Sequence, residues 1–140
     1  MTNTIEINWK GARCFESVAP EGSVMIDAGE AQGGQGKGLR PKAMMLTALG
    51  GCTAMDIASL LEKMRAEVDD FSIDVQGELT DEHPKYYHKV LMTYRFYGSD
   101  FKKDKIKKAI DLSVEKYCGV LEMFRKFAEV SIDIQYFPAR

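Results

Sequence analysis

Polar and apolar residues alternate, or nearly so, in six short stretches of the chain, and two longer stretches have helical character. The alternating segments are Thr4–Trp9, Cys14–Ala19, Ser23–Ala28, Phe71–Thr80, His88–Gly98 and Ser131–Phe137. Each reads as a strand presenting one face to a core. Pro20-Glu21-Gly22 separates the second from the third and predicts a tight turn, so the first three strands form a meander. Phe71–Thr80 and His88–Gly98 are the longest and are expected to pair through the Asp81–Tyr87 connection. Pro41 suits the first turn of a helix that continues to about Arg65. A second helix is expected from Lys102 to Ala128, with Ile106, Ile110, Tyr117, Leu121 and Phe124 at spacings of three, four or seven. The order βββαββαβ, with no internal repeat and no linker, predicts a single α+β domain over residues 1–140.

The first helix is unusual because it lacks a polar face over its first half. No charge occurs between Lys42 and Asp56, and a helix that is apolar all round must be buried all round. One small sheet cannot wrap it, so a second copy of the chain is expected to complete the burial, giving a homodimer. The uncharged run Ala43–Met55 is also well short of the roughly 20 residues that a membrane span needs, so no membrane helix is predicted.

Composition narrows the classes. The chain has 140 residues, 45% of them apolar and 29% charged, as in ordinary globular domains. A net charge of -2 gives no footprint for nucleic acid. The one basic cluster, Lys102–Lys108, has no interleaved aromatics and reads as a solvated helix face. The glycine-rich stretch Gly29–Gly38 lacks the spacing and the serine or threonine of a phosphate-binding loop, and is expected to be a mobile surface loop. The N-terminal segment has Glu6 and Lys10 among alternating residues and no apolar stretch of signal-peptide length. A cytoplasmic location is expected.

Three cysteines, Cys14, Cys52 and Cys118, are an odd number at wide spacing and do not form a secreted disulfide framework. Cys52 and Cys118 fall near the middles of the two predicted helices. A helical cysteine is commonly a small buried hydrophobe. Packed helices, however, bring facing Cα atoms to roughly 3.5–5.5 Å, which overlaps the range for a disulfide, so a redox pair and two packing thiols are both open. Gly50 and Gly51 cost helix stability and would let backbone or substrate approach Cys52. Cys14 reads as packing or as a bystander thiol. Only His83 and His88 are available to a Cys-His hydrolase, both beside a strand connection, and no Cys-x-x-Cys suggests zinc.

The segments "RPKAMMLTALGGCTAMDIASLL" and "DLSVEKYCGVLEMF" resemble the osmotically inducible protein C and organic hydroperoxide resistance (OsmC/Ohr) family, and the likeness extends over nearly the whole chain. It implies an α+β, OsmC-like fold in which two long central helices of an intertwined homodimer are wrapped by antiparallel sheets, with two active sites at the interface. It also implies a thiol-dependent peroxidase acting in oxidative stress defence. In that scheme Cys52 attacks an organic hydroperoxide and passes through a sulfenic acid, Cys118 resolves it to a Cys52–Cys118 disulfide, and a small dithiol or a protein dithiol returns the thiols. Neither metal nor flavin is required. Arg13, in "KGARCFESVAPEG", matches the family arginine that favours the thiolate. The glutamate that pairs with this arginine in the best-known members is replaced by Lys42 after Pro41, and Gly119 stands after Cys118 in place of proline. Asp56, one turn beyond Cys52, is either a substitute for that carboxylate or simply the start of the exposed half of the helix, and Glu115 is either a site residue or a solvated one. The competing expectation is a non-catalytic OsmC-like homodimer that binds a small ligand in a cavity lined by Met25, Met44, Met45, Met55, Met64, Met92 and Met123.

Overall fold

The computed structural model describes residues 1–140. The chain divides into two compact units, Met1–Met45 and Leu46–Arg140, with the division inside the first long helix.

The first unit holds the predicted meander: β1 (Glu6–Trp9), β2 (Phe15–Ala19) and β3 (Gly22–Ile26). They form an antiparallel sheet in the order β1-β2-β3, with Trp9 opposite Phe15 and Phe15 opposite Ile26. β3 stops two residues short of the alternating pattern because Asp27 has another task. Its buried carboxylate accepts hydrogen bonds from the backbone N–H groups of Ala28 (2.8 Å), Gln35 (2.9 Å) and Lys37 (3.1 Å). These bonds, foremost those from Gln35 and Lys37, hold its pKa below the usual carboxylate value. The glycine-rich segment expected to be a mobile loop is therefore pinned. It makes one 3₁₀ turn, Glu30–Gln32, and returns so that Leu39 bridges Ile26 in parallel. A Cβ at Gly34 would lie 1.7 Å from the Ala28 carbonyl oxygen, so close backbone approach explains this glycine better than flexibility does.

The long helix α1 (Pro41–Met64) matches its predicted bounds within a residue. By length and composition it is apolar enough to cross a membrane, which the charge-free run alone did not suggest. Yet Leu49, Ile57 and Leu61 are core residues, and Thr53 is buried with them. α1 is thus the central helix of the second unit, with much of the rest of its surface uncovered in a single chain.

The second unit adds β4 (Asp70–Leu79), β5 (Tyr87–Tyr97) and β6 (Glu129–Phe137). β4 and β5 pair antiparallel as predicted, with Ile73 opposite Tyr94. β6 joins the other edge of β5 in parallel, Tyr94 opposite Ile134, so this sheet is mixed and not antiparallel throughout as expected. A parallel pair needs a long crossover, and the helical segment between β5 and β6 supplies it. Val90, Met92, Tyr94 and Phe96 of the central strand point to one face and meet Leu49, Ile57, Ile106, Ile110, Leu121 and Phe124 in the core. Each such side chain contributes about 1.5–3 kcal/mol by leaving water. Gly50 proves to be a packing residue: a Cβ there would meet Val75 Cγ2 at 3.1 Å, whereas Gly51 faces open space.

The second predicted helix is not continuous. α2 (Lys103–Leu112) runs into a π-helical turn, Ser113–Tyr117, and the chain then turns out of helical geometry at Cys118 (φ -76°, ψ 97°) before α3 (Gly119–Arg125) begins. Periodicity does not register the break because Tyr117, Leu121 and Phe124 keep helical spacing through it. Cys118 is consequently a helix cap, not a mid-helix residue.

Candidate active site

Cys52 and Asp56 project from α1 one turn apart, as the i, i+4 spacing requires. Cys118 reaches them from the break between α2 and α3. The two sulfurs and a carboxylate oxygen of Asp56 all lie within 4.8 Å of one another. All three cysteines are free thiols, with Cys14 and Cys118 buried and Cys52 partly exposed. The fold thus brings together the two cysteines that the sequence left as either a pair or two packing residues.

The break at Cys118 places its sulfur. The Cys118 N–H donates to the Ser113 carbonyl at 2.8 Å, closing the π turn, and Cys118 Sγ accepts from the Leu121 N–H at 3.4 Å, capping α3 as an oxygen usually does. Burial, above all, pushes the Cys118 thiol up to about 11. Its hydrogen bond with Cys52 and the negative charges of Cys52 and Asp56 act in the same direction, while the Leu121 N–H opposes them. At neutral pH Cys118 therefore carries its proton.

Behind the triad is a buried polar chain that sequence reasoning missed. Ser113 Oγ donates to Asp56 Oδ2 at 2.8 Å; Thr53 Oγ1 lies 2.9 Å from Ser113 Oγ and 3.0 Å from the Tyr94 hydroxyl. Thr53, Ser113 and Tyr94 are fully buried, and burial raises the Tyr94 pKa. One sequence signal was available, a threonine on an otherwise apolar helix face next to Cys52. Ser113 and Tyr94 come from distant elements and gave none.

Glu115 is exposed on the π turn and its charge acts on Lys107. Arg13 is exposed at the β1–β2 turn, where its aliphatic stem lies beside Gly33 of the pinned loop. Of the methionines, Met92 is wholly in the core, while Met55 (73% exposed) and Met123 (61%) are at the surface of the single chain.

Residues 34–133 match the family model described as OsmC-like protein. The chain belongs to this family. Protein YhfA of Escherichia coli K12 is 35% identical over 91 residues, which span 65% of this chain and 68% of YhfA. A hypothetical protein of Aquifex aeolicus has the same fold in its crystal structure, with a TM-score of 0.87 and 27% identity over 100% of this chain and 99% of its own. The organic hydroperoxide resistance protein OsmC of Legionella pneumophila shares the fold at a TM-score of 0.71, with 14% identity over 96% of this chain and 97% of its own. The α+β, OsmC-like fold expected from the sequence is the one observed.

Proposed function

We propose that this OsmC-like chain is a thiol-dependent peroxidase that reduces organic hydroperoxides in the cytoplasm as part of oxidative stress defence. The observation that carries the reading is the asymmetry of two adjacent free thiols: Cys52 is partly exposed, while Cys118 is buried and held protonated up to about 11. Only thiolate attacks an O–O bond well. Cys52 is the sulfur a peroxide can reach, and it becomes a sulfenic acid as the alcohol leaves. Cys118, kept as a thiol beside it, then forms the disulfide and releases water, which protects Cys52 from further oxidation. A small dithiol or a protein dithiol restores both thiols. Arg13 supplies the cation that favours the Cys52 thiolate.

The working form is a homodimer. Met55, Tyr117 and Met123 remain 73%, 50% and 61% exposed in the single chain, and a second copy covers them in an interface of obligate size, about 2,000 Å² or more. A pocket finished by such side chains prefers a bulky organic hydroperoxide to hydrogen peroxide, at about 0.8 kcal/mol per buried methylene.

Mass spectrometry before and after one equivalent of cumene hydroperoxide tests the reading. The expected product is a Cys52–Cys118 disulfide. A Cys52 thiol still fully titratable after prolonged exposure of the folded, reduced protein to excess hydroperoxide overturns it.

A further inference from the structure

A carboxylate beside a nucleophilic cysteine presents a problem, because its negative charge disfavours the thiolate that peroxide attack requires. Asp56 is nevertheless held in place. Its carboxylate can only accept, so Ser113 spends its one hydroxyl proton on Asp56 Oδ2 at 2.8 Å. Ser113 must then accept from Thr53 (2.9 Å), and Thr53 from the Tyr94 hydroxyl (3.0 Å). Three fully buried hydroxyls thus point in series at one carboxylate, and such chains polarise cooperatively in a poorly solvated interior. That arrangement belongs to a group whose charge and position are used.

The first half-reaction has no evident need for it. The second does, because Cys118 holds a proton that it must lose as it attacks. Of the titratable groups facing Cys118, Cys52 is the electrophile at that stage and Tyr94 is itself a buried acid with a raised pKa. Asp56 is the one available base.

We propose that Asp56 is the general acid–base of disulfide formation, and that Tyr94, Thr53 and Ser113 position it as a relay of hydrogen bonds. The inference rests on the peroxidase reading for its physiological setting. The step balances without another reactant. Asp56 accepts the Cys118 thiol proton as the Cys118 sulfur gives its electron pair to the Cys52 sulfur. The S–O bond of the sulfenic acid breaks, and Asp56 hands the proton to the departing hydroxide. The products are the disulfide and water, and Asp56 ends as it began.

A test independent of peroxide uses 5,5′-dithiobis(2-nitrobenzoate) on reduced protein carrying Cys14→Ala, so that Cys52 and Cys118 are the thiols present. The first thionitrobenzoate released reports formation of the mixed disulfide at Cys52, and the second reports attack by Cys118. Thionitrobenzoate leaves as an anion and needs no proton, so the second phase isolates deprotonation of Cys118. Cys118→Ser, which removes the second phase, fixes the assignment.

In Asp56→Asn the second phase is expected to slow by about 10²-fold at pH 7, the lower end of general-base effects. The first phase is unchanged or faster, and the deficit closes as pH approaches 11. Asp56→Glu recovers part of the rate. Ser113→Ala gives a smaller slowing with the same pH recovery, and it decides the matter should Asp56→Asn not fold. A second phase within twofold of the parent in Asp56→Asn, or in Ser113→Ala if that variant must serve, overturns the proposal. The parallel arm follows the Cys52 sulfenic acid by dimedone trapping after cumene hydroperoxide, and a longer lifetime in Asp56→Asn is expected. If no variant forms a sulfenic acid, the peroxidase reading falls, while the thionitrobenzoate arm still decides the role of Asp56.

Discussion

Two aspartates, one in each unit, show how differently a fold can use the same side chain. Asp27 is held by three backbone N–H groups, one on Oδ1 and two on Oδ2, and the loop from Ala28 to Lys37 is arranged around it. Asp56 accepts from the Ser113 hydroxyl and otherwise faces two thiols. A carboxylate held on both oxygens by backbone donors stabilises structure. One left partly open beside reactive sulfur is free to exchange a proton. The number and kind of donors around each group therefore separates a structural acid from a chemical one better than burial does. Substitutions around Asp27 should change stability and leave the chemistry of Cys52 intact, and those around Asp56 should slow attack by Cys118 in disulfide formation.

The largest effect is expected at the cysteines. Cys52→Ser should abolish even a single turnover of cumene hydroperoxide, whereas Cys118→Ser should consume one equivalent and stop at a sulfenic acid. Peroxide consumed per protein, read with dimedone labelling, distinguishes them; equal behaviour of the two variants would remove the division of labour between the sulfurs.

Next comes Arg13, which lies in the unit of Asp27 but is assigned to the chemistry of the other. Arg13→Ala is expected to slow attack by Cys52 by about tenfold at pH 7, the equivalent of about 1.4 kcal/mol of transition-state stabilisation. Alkylation of Cys52 by iodoacetamide across pH measures this. A rate unchanged at every pH would return Arg13 to the surface residues.

Asp27 should show its effect through acid. Its pKa is lowered in the folded state, so its contribution is complete above the ordinary carboxylate pKa and is lost as pH falls through the depressed folded value. The protection of the Gln35 and Lys37 amides, taken relative to their intrinsic exchange rate at each pH, should fall several-fold on acidification, and Asp27→Asn should show low protection already at neutral pH with little further response to acid. Protection equal to the parent in Asp27→Asn would mean that the loop is held by something else.

The smallest effect is at the paired glycines. Gly51→Ala meets open space and should stabilise α1 by about 0.5–1 kcal/mol. Gly50→Ala should gain less, because its new methyl crowds Val75 at 3.1 Å. Thermal denaturation orders the two variants, and the reverse order would locate close packing at Gly51.

The alternation of polar and apolar residues was enough to place six strands and the long helix to within a few residues, because burial of one face imposes its period on the sequence. It also revealed that α1 has no polar face over its first half. The motifs around Cys52 and Cys118 were sufficient to suggest the family and to single out both sulfurs. Local pattern could not register the interruption at Cys118, since the π turn preserves the spacing of the core residues while shifting the backbone between them. It could not explain Gly50, whose reason is a valine on β4, or find the anchoring role of Asp27, whose partners are backbone groups that carry no sequence signature. The Tyr94–Thr53–Ser113–Asp56 chain has the same origin. Periodicity is written along one element, whereas a hydrogen-bonded site is assembled across elements far apart in the chain, and only their packing decides which hydroxyl meets which carboxylate.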